Sequence, residues 1–276
     1  MPHFINYNGK LLHEDTAIVT AGNRGLRYGD GVFETMKMEN SEIKLWAFHL
    51  ERLLNAMVLL QFKLPVHFDG SFLKEQILSL VMKNNLASAA RVRLNIFRKN
   101  GGLYDPVDHS PEFLIEAWNL PENFFRLNEN GLIVDVYNDV RKACDAFSNL
   151  KSNNYLPYAM GALYAKENKL NDCLILNIHE RICDATIANV FWVNDAIIYT
   201  PPLSEGCIAG VMRRQLLQIL PAKGFTVVEK SLEIADLQKA QELFLTNAIS
   251  GIRWVKEFQG KRYSNNVVNG IYPLLS

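Results

Sequence analysis

The strand-like segments of this chain follow one another in runs, and single helices rarely separate them. The first run has apolar residues on both sides of Asn8-Gly9, a dipeptide typical of a tight β-hairpin turn. A second alternating segment, 31–46, turns at Glu39-Asn40-Ser41. A parallel sheet would instead need a regular alternation of strand and helix. The pattern therefore predicts an α+β protein with many antiparallel strands.

Helical spacing of apolar residues appears in both halves of the chain. The first half has helical patterns at 47–62 and 71–85, and the second half has them at 153–168 and 209–221. The remaining apolar segments are predicted strands: ARVRLNIFRK and PEFLIEAW in the first half, and LIVDVYN, CLILNI, NVFWV, AIIYT, FTVVEK and ELFLTNA in the second.

A polar stretch without periodicity divides the 276 residues. It reads NLPENFFRLNENG, follows Trp118 and is broken by Pro121. Such a stretch is typical of a linker, and this length favours two domains. We therefore predict an N-terminal domain at 1–118, a linker at 119–130 and a C-terminal domain at 131–276.

Charge and cysteine content argue against several classes of function. Lys+Arg and Asp+Glu both number 29, whereas partners such as nucleic acids and anionic membranes usually require a basic excess. We expect neither partner, and no membrane span or signal peptide. The cysteines lack CxxC and zinc-finger spacing, which favours free thiols in a reducing cytoplasm and no metal site. They are Cys144, Cys173, Cys183 and Cys207.

Lys151, in KSNNYLPYAM, is the first candidate for chemistry, because no acid in that stretch could pair with it. Most lysines are solvated surface charges. A helix that begins at residue 153 would place its positive end beside Lys151 and disfavour the ammonium form. A neutral lysine amine is a nucleophile suited to forming a Schiff base with a carbonyl compound.

Three further features suit a phosphorylated ligand. Small residues open the helix in IAGVMRRQLLQIL (208–220), where backbone N–H groups could bind a phosphate, although an ordinary helix start has the same pattern. Arg52 groups with His49 and Ala56 on its helix, as either a ligand-binding or a solvated residue. Asp184, in RICDATIANVFWV, is either a buried acid that needs a cationic or protonated partner or a turn residue.

These features together fit a site for pyridoxal phosphate. The aldehyde of that cofactor needs a lysine, and its phosphate needs an arginine and helix N–H groups. Its ring nitrogen needs a carboxylate to remain protonated, so that the ring can accept electrons. The order of the features along the chain favours this interpretation over separate explanations for each.

Six blocks in one order carry a resemblance to a known family: RGLRYGDGVFETM (24–36), HLERLL (49–54), KSNNY (151–155), CDATIANVFWV (183–193), GVMRRQ (210–215) and LFLTNAISGIRWV (243–255). The chain resembles the fold-type IV, or class IV aminotransferase, family of pyridoxal-phosphate enzymes. The resemblance implies a small N-terminal α/β domain and a larger, β-barrel-like C-terminal domain with helices. It also implies a cytoplasmic homodimer with pyridoxal 5'-phosphate in the cleft between the domains.

The same resemblance assigns roles to individual residues. Lys151 is implied as the Schiff-base lysine and Arg52 as the arginine that binds the phosphate. The other implied residues are Val211 and Met212 for backbone contacts to the phosphate, Asn247 and Ala248 beside it, Tyr155 near the ring, Asp184 at the ring nitrogen, and Tyr28, Phe33 and Arg98 around the substrate.

The chain departs from the family pattern at three positions. Asp184 stands where the family usually has glutamate, five residues before Asn189, so the shorter acid would need a shifted backbone or a water to reach the ring. Glu180, in the NIHER turn, is a less suitable substitute. Met212 replaces a threonine of many aminotransferases, and Ala248 also replaces a hydroxyl residue.

These departures bear on the choice of subfamily. GVMR, TNAI and RKNGGLYDP (98–106) are similar to the aminodeoxychorismate lyase pattern. D-Amino-acid aminotransferases tend to have tyrosine in place of Phe33 and histidine in place of Asn100. The resemblance therefore favours release of 4-aminobenzoate and pyruvate for folate synthesis. In that reaction Lys151 would take a proton from the substrate and protonate the released fragment.

Two alternatives stay open. One is a branched-chain transaminase that uses 2-oxoglutarate, and the other is a vitamin-B6-binding protein with little catalysis, which would follow if Asp184 could not protonate the ring. The residue that binds the substrate carboxylate is not identified by the sequence. Arg98, Arg27 and Arg253 are the candidates.

Overall fold

The computed structural model describes residues 3–275, apart from the side chain of Phe125. The chain forms two compact units. The first contains the chain up to Pro121 together with Lys151–Asn154, and the second contains Glu122–Leu150 and the chain from Tyr155 onward. The first boundary coincides with the proline that breaks the predicted linker. The precise domain limits predicted from the sequence stay a prediction.

The first unit is built on one six-stranded antiparallel sheet. Its strands, in the order they occupy in the sheet, are β2 (Lys10–His13), β1 (Phe4–Tyr7), β6 (Pro111–Asn119), β5 (Ala89–Arg98), β3 (Gly31–Glu39) and β4 (Glu42–Ile43). Its helices are α1 (Arg24–Tyr28), α2 (Trp46–Leu59) and α3 (Gly70–Lys83). The antiparallel pattern expected from the runs of strands is confirmed.

Alternation along β3 gives this sheet two different faces. Val32, Glu34, Met36 and Met38 are buried, while the residues between them are only partly covered. The buried apolar residues of α2 and α3 belong to the same core, and they include Leu53, Met57, Leu73, Ile77, Leu80 and Val81. The partly covered face, with Phe33 on β3, stays available for contacts outside that core.

Both predicted hairpins form, because their turn residues accept a left-handed backbone. Asn8 and Gly9 have φ of 52° and 84°, and Asn40 and Ser41 have φ of 49° and 62°. Paired positive φ values match the right-handed twist of the flanking strands.

The second unit is built on a nine-stranded mixed sheet. The strands are β7 (Leu132–Lys142), β8 (Asp172–Asn177), β9 (Ile182–Ala185), β10 (Asn189–Asn194), β11 (Ile197–Thr200), β12 (Thr226–Glu229), β13 (Glu242–Asn247), β14 (Gly251–Phe258) and β15 (Lys261–Arg262). The helices are α4 (Leu156–Glu167), α5 (Val211–Ala222), α6 (Ile234–Lys239) and α7 (Asn266–Ile271).

Six of these strands close into a barrel. The sheet runs in the order β10-β13-β14-β7-β8-β9, and β9 then pairs with β10 through Asp184 and Asn189. Closure removes the two open edges of the six-stranded part. The barrel is filled by apolar side chains, among them Val134, Val136, Leu174, Val190, Leu243, Leu245 and Val255. A residue at the β9–β10 junction is therefore buried.

The predicted start of the helix after Lys151 is wrong. The helix was expected at 153–168, but α4 begins at Leu156, with Pro157 in its first turn. Residues 151–154 are extended along the first unit instead, since Asn153 N donates to Gly31 O at 3.0 Å. Lys151 therefore does not lie at the mouth of α4, and the helix-dipole argument for its reactivity does not hold. Among the described residues, no helix is long and apolar enough to cross a bilayer.

Candidate active site

Lys151 is fixed beside the partly covered face of the first sheet. Its carbonyl oxygen accepts from Phe33 N at 2.9 Å, and Ser152 bridges to Val32. The Lys151 ammonium nitrogen lies 4.4 Å from the centroid of the Phe33 ring, a distance typical of a cation–π contact. Lys151 is only partly exposed, so it is not a freely solvated surface lysine.

Glycine at position 31 permits the close approach of the lysine segment. A Cβ atom there would lie 2.3 Å from the carbonyl oxygen of Ile96 and 2.7 Å from Asn153 Nδ2. The block GDGVFE thus has a backbone reason for its second glycine. A side chain at residue 31 would collide first with the β5 backbone at Ile96 and then with the side-chain amide of Asn153 in the lysine segment.

Arg93 shares the ring of Phe33 with Lys151. Its guanidinium carbon lies 4.3 Å from the same centroid. Beside it, Asn153 Nδ2 donates to Asn95 Oδ1 at 3.0 Å. Within residues 3–275, no hydrogen-bond partner is found for the buried Asn153 Oδ1. Two basic side chains therefore contact one aromatic ring, and an acceptor without a described partner belongs to the lysine segment.

Arg52 lies on the other, buried face of the same sheet and pairs with Glu34. Its Nε and Nη2 donate to Glu34 Oε1 and Oε2 at 2.8 Å and 2.5 Å. His49 Nδ1 lies 2.6 Å from Glu34 Oε2. Burial by itself raises the pKa of the Glu34 carboxyl, but Arg52 and His49 outweigh the burial and lower that pKa to about 2. Only 12% of the Arg52 side chain is exposed, so the alternative of a solvated face is excluded.

The side chain of Asp184 accepts four hydrogen bonds within the second unit. Its Oδ2 accepts from Lys142 Nζ at 3.0 Å, Tyr158 OH at 2.8 Å and Ile208 N at 2.9 Å. Its Oδ1 accepts from Asn189 Nδ2 at 3.0 Å. The side chain is 2% exposed, so Asp184 is a buried acid with a cationic partner and the alternative of a turn residue does not apply. Burial and the charge of Asp184 together raise the pKa of Tyr158 well above its ordinary value, which keeps its hydroxyl a donor.

The N-terminus of α5 is tied to Asp184 through Asn189. Asn189 Nδ2 also donates to Ile208 O at 2.8 Å. Gly210, the residue before the helix, has no room for a side chain, because a Cβ would lie 1.8 Å from Asn189 Oδ1. Among the described residues, no side chain caps α5. The first N–H groups of the helix, at Val211 and Met212, therefore have the character of an anion site.

Asn247 and Ala248 lie in the turn after β13. The side chain of Asn247 closes that turn, since its Oδ1 accepts from Ile249 N and Ser250 N at 3.0 Å and 2.8 Å. Next to Asn247 the second unit has a cavity of about 710 Å³, also lined by Asp172 and Arg253. The side-chain amide of Asn247 thus fixes the backbone of this turn. It does not take the place of the hydroxyl group that Ala248 lacks.

Several predicted residues have other partners in the structure. Arg98 is 4% exposed and donates to Asp30 Oδ2 at 3.0 Å and to Leu60 O at 2.6 Å. Its guanidinium also stacks on Phe62 at 4.3 Å, so its contacts are those of a structural arginine. The others are Tyr28, whose ring packs on Tyr104 at 5.6 Å, Arg27, which donates to Ala21 O at 2.7 Å, Arg253, which donates to Asn123 O at 3.1 Å, and Glu180, which pairs with Arg141.

Tyr155 is 43% exposed and immediately precedes α4, and its predicted place near the ring stays a prediction. Three residues later, Tyr158 is the tyrosine that contacts Asp184. Tyr158, Lys142 and Arg93 were not among the site residues predicted from the sequence. Tyr158 lies three residues after the predicted Tyr155, and residues three apart share one face of a helix, so this spacing could have suggested it. Nothing local marks Lys142, which lies 42 residues from its partner.

The family model for amino-transferase class IV matches residues 31–258. The chain therefore belongs to the class IV aminotransferase family. The family match confirms the predictions of an enzyme and of pyridoxal phosphate as its cofactor. The fold-type IV architecture is confirmed as well, since a branched-chain aminotransferase of Thermoproteus uzoniensis superposes with a TM-score of 0.89 at 22% identity, covering 100% of this chain and 94% of that one.

Curated relatives carry different activities at similar identity. An aminodeoxychorismate lyase of Vibrio harveyi is 28% identical over 85% of each chain. A putative branched-chain-amino-acid aminotransferase of Methanocaldococcus jannaschii is 28% identical over 97% of this chain and 92% of its own. Identity alone therefore does not decide between lyase and transaminase.

The residues of the chain fit the cofactor in chemical terms. Lys151 offers an amine for the aldehyde, and the uncapped N-terminus of α5 offers N–H groups for the phosphate. Asp184 offers a buried carboxylate, whose Oδ1 accepts one described hydrogen bond and so has acceptor capacity left for the ring nitrogen. Among residues 3–275, no group of three or more His, Cys, Asp or Glu side chains is arranged to bind a metal ion.

Proposed function

We propose that this enzyme is an aminodeoxychorismate lyase, which converts 4-amino-4-deoxychorismate into 4-aminobenzoate and pyruvate. The supporting observation is that Arg93 and Lys151 contact one ring, that of Phe33, at 4.3 Å and 4.4 Å. The substrate has one amino group and two carboxylates. A lysine that reacts at the amino end with an arginine close by suits a dianion better than a branched-chain amino acid.

The strand register extends this basic character. Arg93 lies opposite Thr35, and Arg91 lies opposite Lys37, in the antiparallel pairing of β5 with β3. All four side chains belong to the face that also carries Phe33. A second carboxylate of the substrate would thus meet Arg91 and Lys37 further along the same face, although Glu116 lies opposite Arg93 there and offsets part of the charge. A leucine or valine side chain would gain nothing from these residues.

In the proposed reaction, pyridoxal phosphate supplies electron withdrawal from the carbon that carries the substrate amine. Lys151 takes the proton from that carbon. The bond between the substrate ring and the enolpyruvyl oxygen breaks. Its electrons leave with the oxygen, and the substrate ring becomes aromatic. Lys151 then protonates the released enol carbon, which yields pyruvate. Asp184 keeps a negative charge at the ring nitrogen during proton removal.

The test compares two reactions of the purified enzyme. One sample receives 4-amino-4-deoxychorismate, and 4-aminobenzoate and pyruvate are quantified. The other receives leucine, isoleucine or valine with 2-oxoglutarate, and glutamate is quantified. We expect the first products in equal amounts and little glutamate. Glutamate without 4-aminobenzoate would overturn the proposal in favour of the branched-chain transaminase, which the Methanocaldococcus relative supports. Absence of both, with the cofactor bound, would favour a weakly catalytic vitamin-B6-binding protein.

A further inference from the structure

The two carboxylate oxygens of Asp184 accept unequal numbers of hydrogen bonds. Oδ2 accepts from Lys142 Nζ, Tyr158 OH and Ile208 N, all within 3.0 Å, whereas Oδ1 accepts from Asn189 alone among the described residues. A carboxylate oxygen has about two lone-pair directions. Oδ2 is therefore saturated, and Oδ1 is the oxygen with capacity for a further donor.

Lys142 is an unusual residue to find at this place. Its side chain is 11% exposed, and its nitrogen also lies 5.2 Å from the centroid of the Tyr158 ring. It is the last residue of β7, directly after an irregularity in the β7–β8 register between Tyr137 and Lys142. Such an irregularity re-aims the side chain that follows it. The strand thus places a lysine in the interior, where the desolvation of both charges of an ion pair is costly.

The position of Lys142 has an electrostatic consequence for a proton shared between Asp184 and a donor at Oδ1. Lys142 Nζ lies 3.0 Å from Asp184 Oδ2, the oxygen that the donor at Oδ1 does not contact. A proton on Asp184 is therefore repelled more strongly than a proton on the partner. The neutral donor Tyr158 acts in the same direction, because its hydrogen bond is stronger to a carboxylate than to a carboxylic acid.

We propose that Lys142 and Tyr158 are positioning residues that keep Asp184 ionised, with Oδ1 presented to the cofactor ring nitrogen, so that the shared proton stays on that nitrogen. This inference rests on the proposed role of Asp184 toward pyridoxal phosphate. It gives the aspartate that stands where the family usually has glutamate a cationic partner that fixes its charge.

The experiment uses the full-length enzyme reconstituted with pyridoxal phosphate that carries ¹⁵N in its ring, and it records the ¹⁵N resonance of the bound ring. In Lys142→Met we expect the resonance to move toward that of an unprotonated ring, and the dissociation constant of the cofactor to rise about tenfold. Lys142→Arg restores the cation and should keep the wild-type resonance. Tyr158→Phe should shift the resonance in the same direction as Lys142→Met, but less.

Lys230→Met is the matched control. Lys230 also pairs with an aspartate, Asp236, at 3.5 Å, and lies 5.8 Å from a tyrosine ring, but its side chain is 53% exposed. This variant should leave resonance and affinity unchanged. In an Asp184→Asn background, Lys142→Met should cause no further shift, because its effect passes through Asp184.

Two failures are distinguishable. Wild-type protein that binds no pyridoxal phosphate would contradict the proposed function itself. Bound cofactor whose resonance is the same in wild type, Lys142→Met and Tyr158→Phe would overturn only the positioning role. Where Lys142→Met does not fold, Tyr158→Phe and Lys142→Arg decide. The positioning role would also be overturned by two results found together. The resonance of Tyr158→Phe would equal that of wild type, and the resonance of Lys142→Arg would be shifted at least as far as that of Asp184→Asn.

Discussion

Arg52 and Glu34 form a two-point ion pair on the buried face of the first sheet, with distances of 2.8 Å and 2.5 Å. Glu34 has 2% of its side chain exposed, so it depends on Arg52 and His49 for compensation of its charge. Arg52 therefore contributes to folding whether or not it also binds phosphate. A simple loss of cofactor in an Arg52 variant would not separate the two roles.

Arg52→Ala should destabilise the cofactor-free protein by about 3–5 kcal/mol, because it leaves a buried carboxylate with one partner fewer. Glu34→Gln removes that charge, so the double variant should recover part of the loss in chemical denaturation. Arg141→Ala is the control. Arg141 also contacts both oxygens of a glutamate, Glu180, at 2.7 Å and 2.8 Å, but at the surface. Its removal should cost at most about 1 kcal/mol.

The same double variant tests phosphate binding by Arg52. If Arg52 contacts the phosphate, Arg52→Ala/Glu34→Gln should bind pyridoxal phosphate about 10- to 100-fold more weakly than wild type, even where its fold has recovered. Glu34→Gln alone should retain most of the affinity. Equilibrium dialysis of the folded variants gives the comparison. Wild-type affinity in the double variant would restrict Arg52 to a structural role.

Acid should weaken the first unit through Glu34. The pKa of that carboxyl is lowered from its ordinary value of 4.5 to about 2, because Arg52 and His49 outweigh the effect of burial. A lowered pKa stabilises the fold above the unfolded value, and this contribution is lost as the pH falls from 4.5 toward 2. We expect Glu34 to account for a fall of up to about 3 kcal/mol in unfolding free energy. Denaturant titrations at several pH values between 4.5 and 2 should show that the unfolding free energy of wild type falls more steeply with pH than that of Glu34→Gln. An equal pH dependence in both proteins would contradict the assignment.

Lys151 should bind the cofactor covalently. The purified protein should be yellow, and borohydride should fix the cofactor on the peptide that contains Lys151. Lys151→Ala should lower turnover at least about 10³-fold, since it removes both the nucleophile and the base. Lys142 is the internal comparison, because its side chain is 11% exposed and pairs with the candidate residue Asp184. Label on Lys142, or on any peptide without Lys151, would refute the assignment.

Asp184→Asn should slow removal of the substrate proton far more than it weakens cofactor binding. The amide cannot stabilise a protonated ring, and its NH₂ group would face the donors of Lys142, Tyr158 or Asn189. Asp184→Glu should retain more turnover than Asn but cost about 1–3 kcal/mol of stability, because the site is closely packed. Stopped-flow kinetics with deuterated substrate measure the proton step. Equal turnover of Asn and wild type would mean that Asp184 does not contact the ring.

Arg93→Leu should raise the KM for 4-amino-4-deoxychorismate about 10- to 100-fold with a smaller effect on kcat, since a charge-assisted contact to a carboxylate is lost. Arg91→Leu, further along the same face, should raise the KM by a smaller factor; its guanidinium lies 5.6 Å from the centroid of the Trp118 ring. Arg98 variants should unfold the protein more readily, because Arg98 is buried among Asp30 and two backbone carbonyls. An unchanged KM in Arg93→Leu would move the carboxylate site elsewhere.

Local chemistry made much of this protein predictable. Asn8-Gly9 and Asn40-Ser41 accept positive φ, so both hairpins were predicted from short stretches. The helices α2, α3 and α5 lie within two residues of their predicted starts, because apolar periodicity is a property of neighbouring residues. Lys151, Asp184 and the start of α5 were selected from sequence for the same reason, since each stands in a distinctive local block.

Long-range contacts decided the rest. The helix after Lys151 begins three residues late because Asn153 bonds to Gly31, a residue about 120 positions earlier in the chain. Arg98 is a structural residue because Asp30 and the backbone near residue 60 surround it. Lys142 reaches Asp184 only once β8 has paired with both β7 and β9. The free energy of a buried charge depends on which groups compensate it. Those groups are distant in the sequence, so their spacing along the chain does not predict which of them lie close together in the fold.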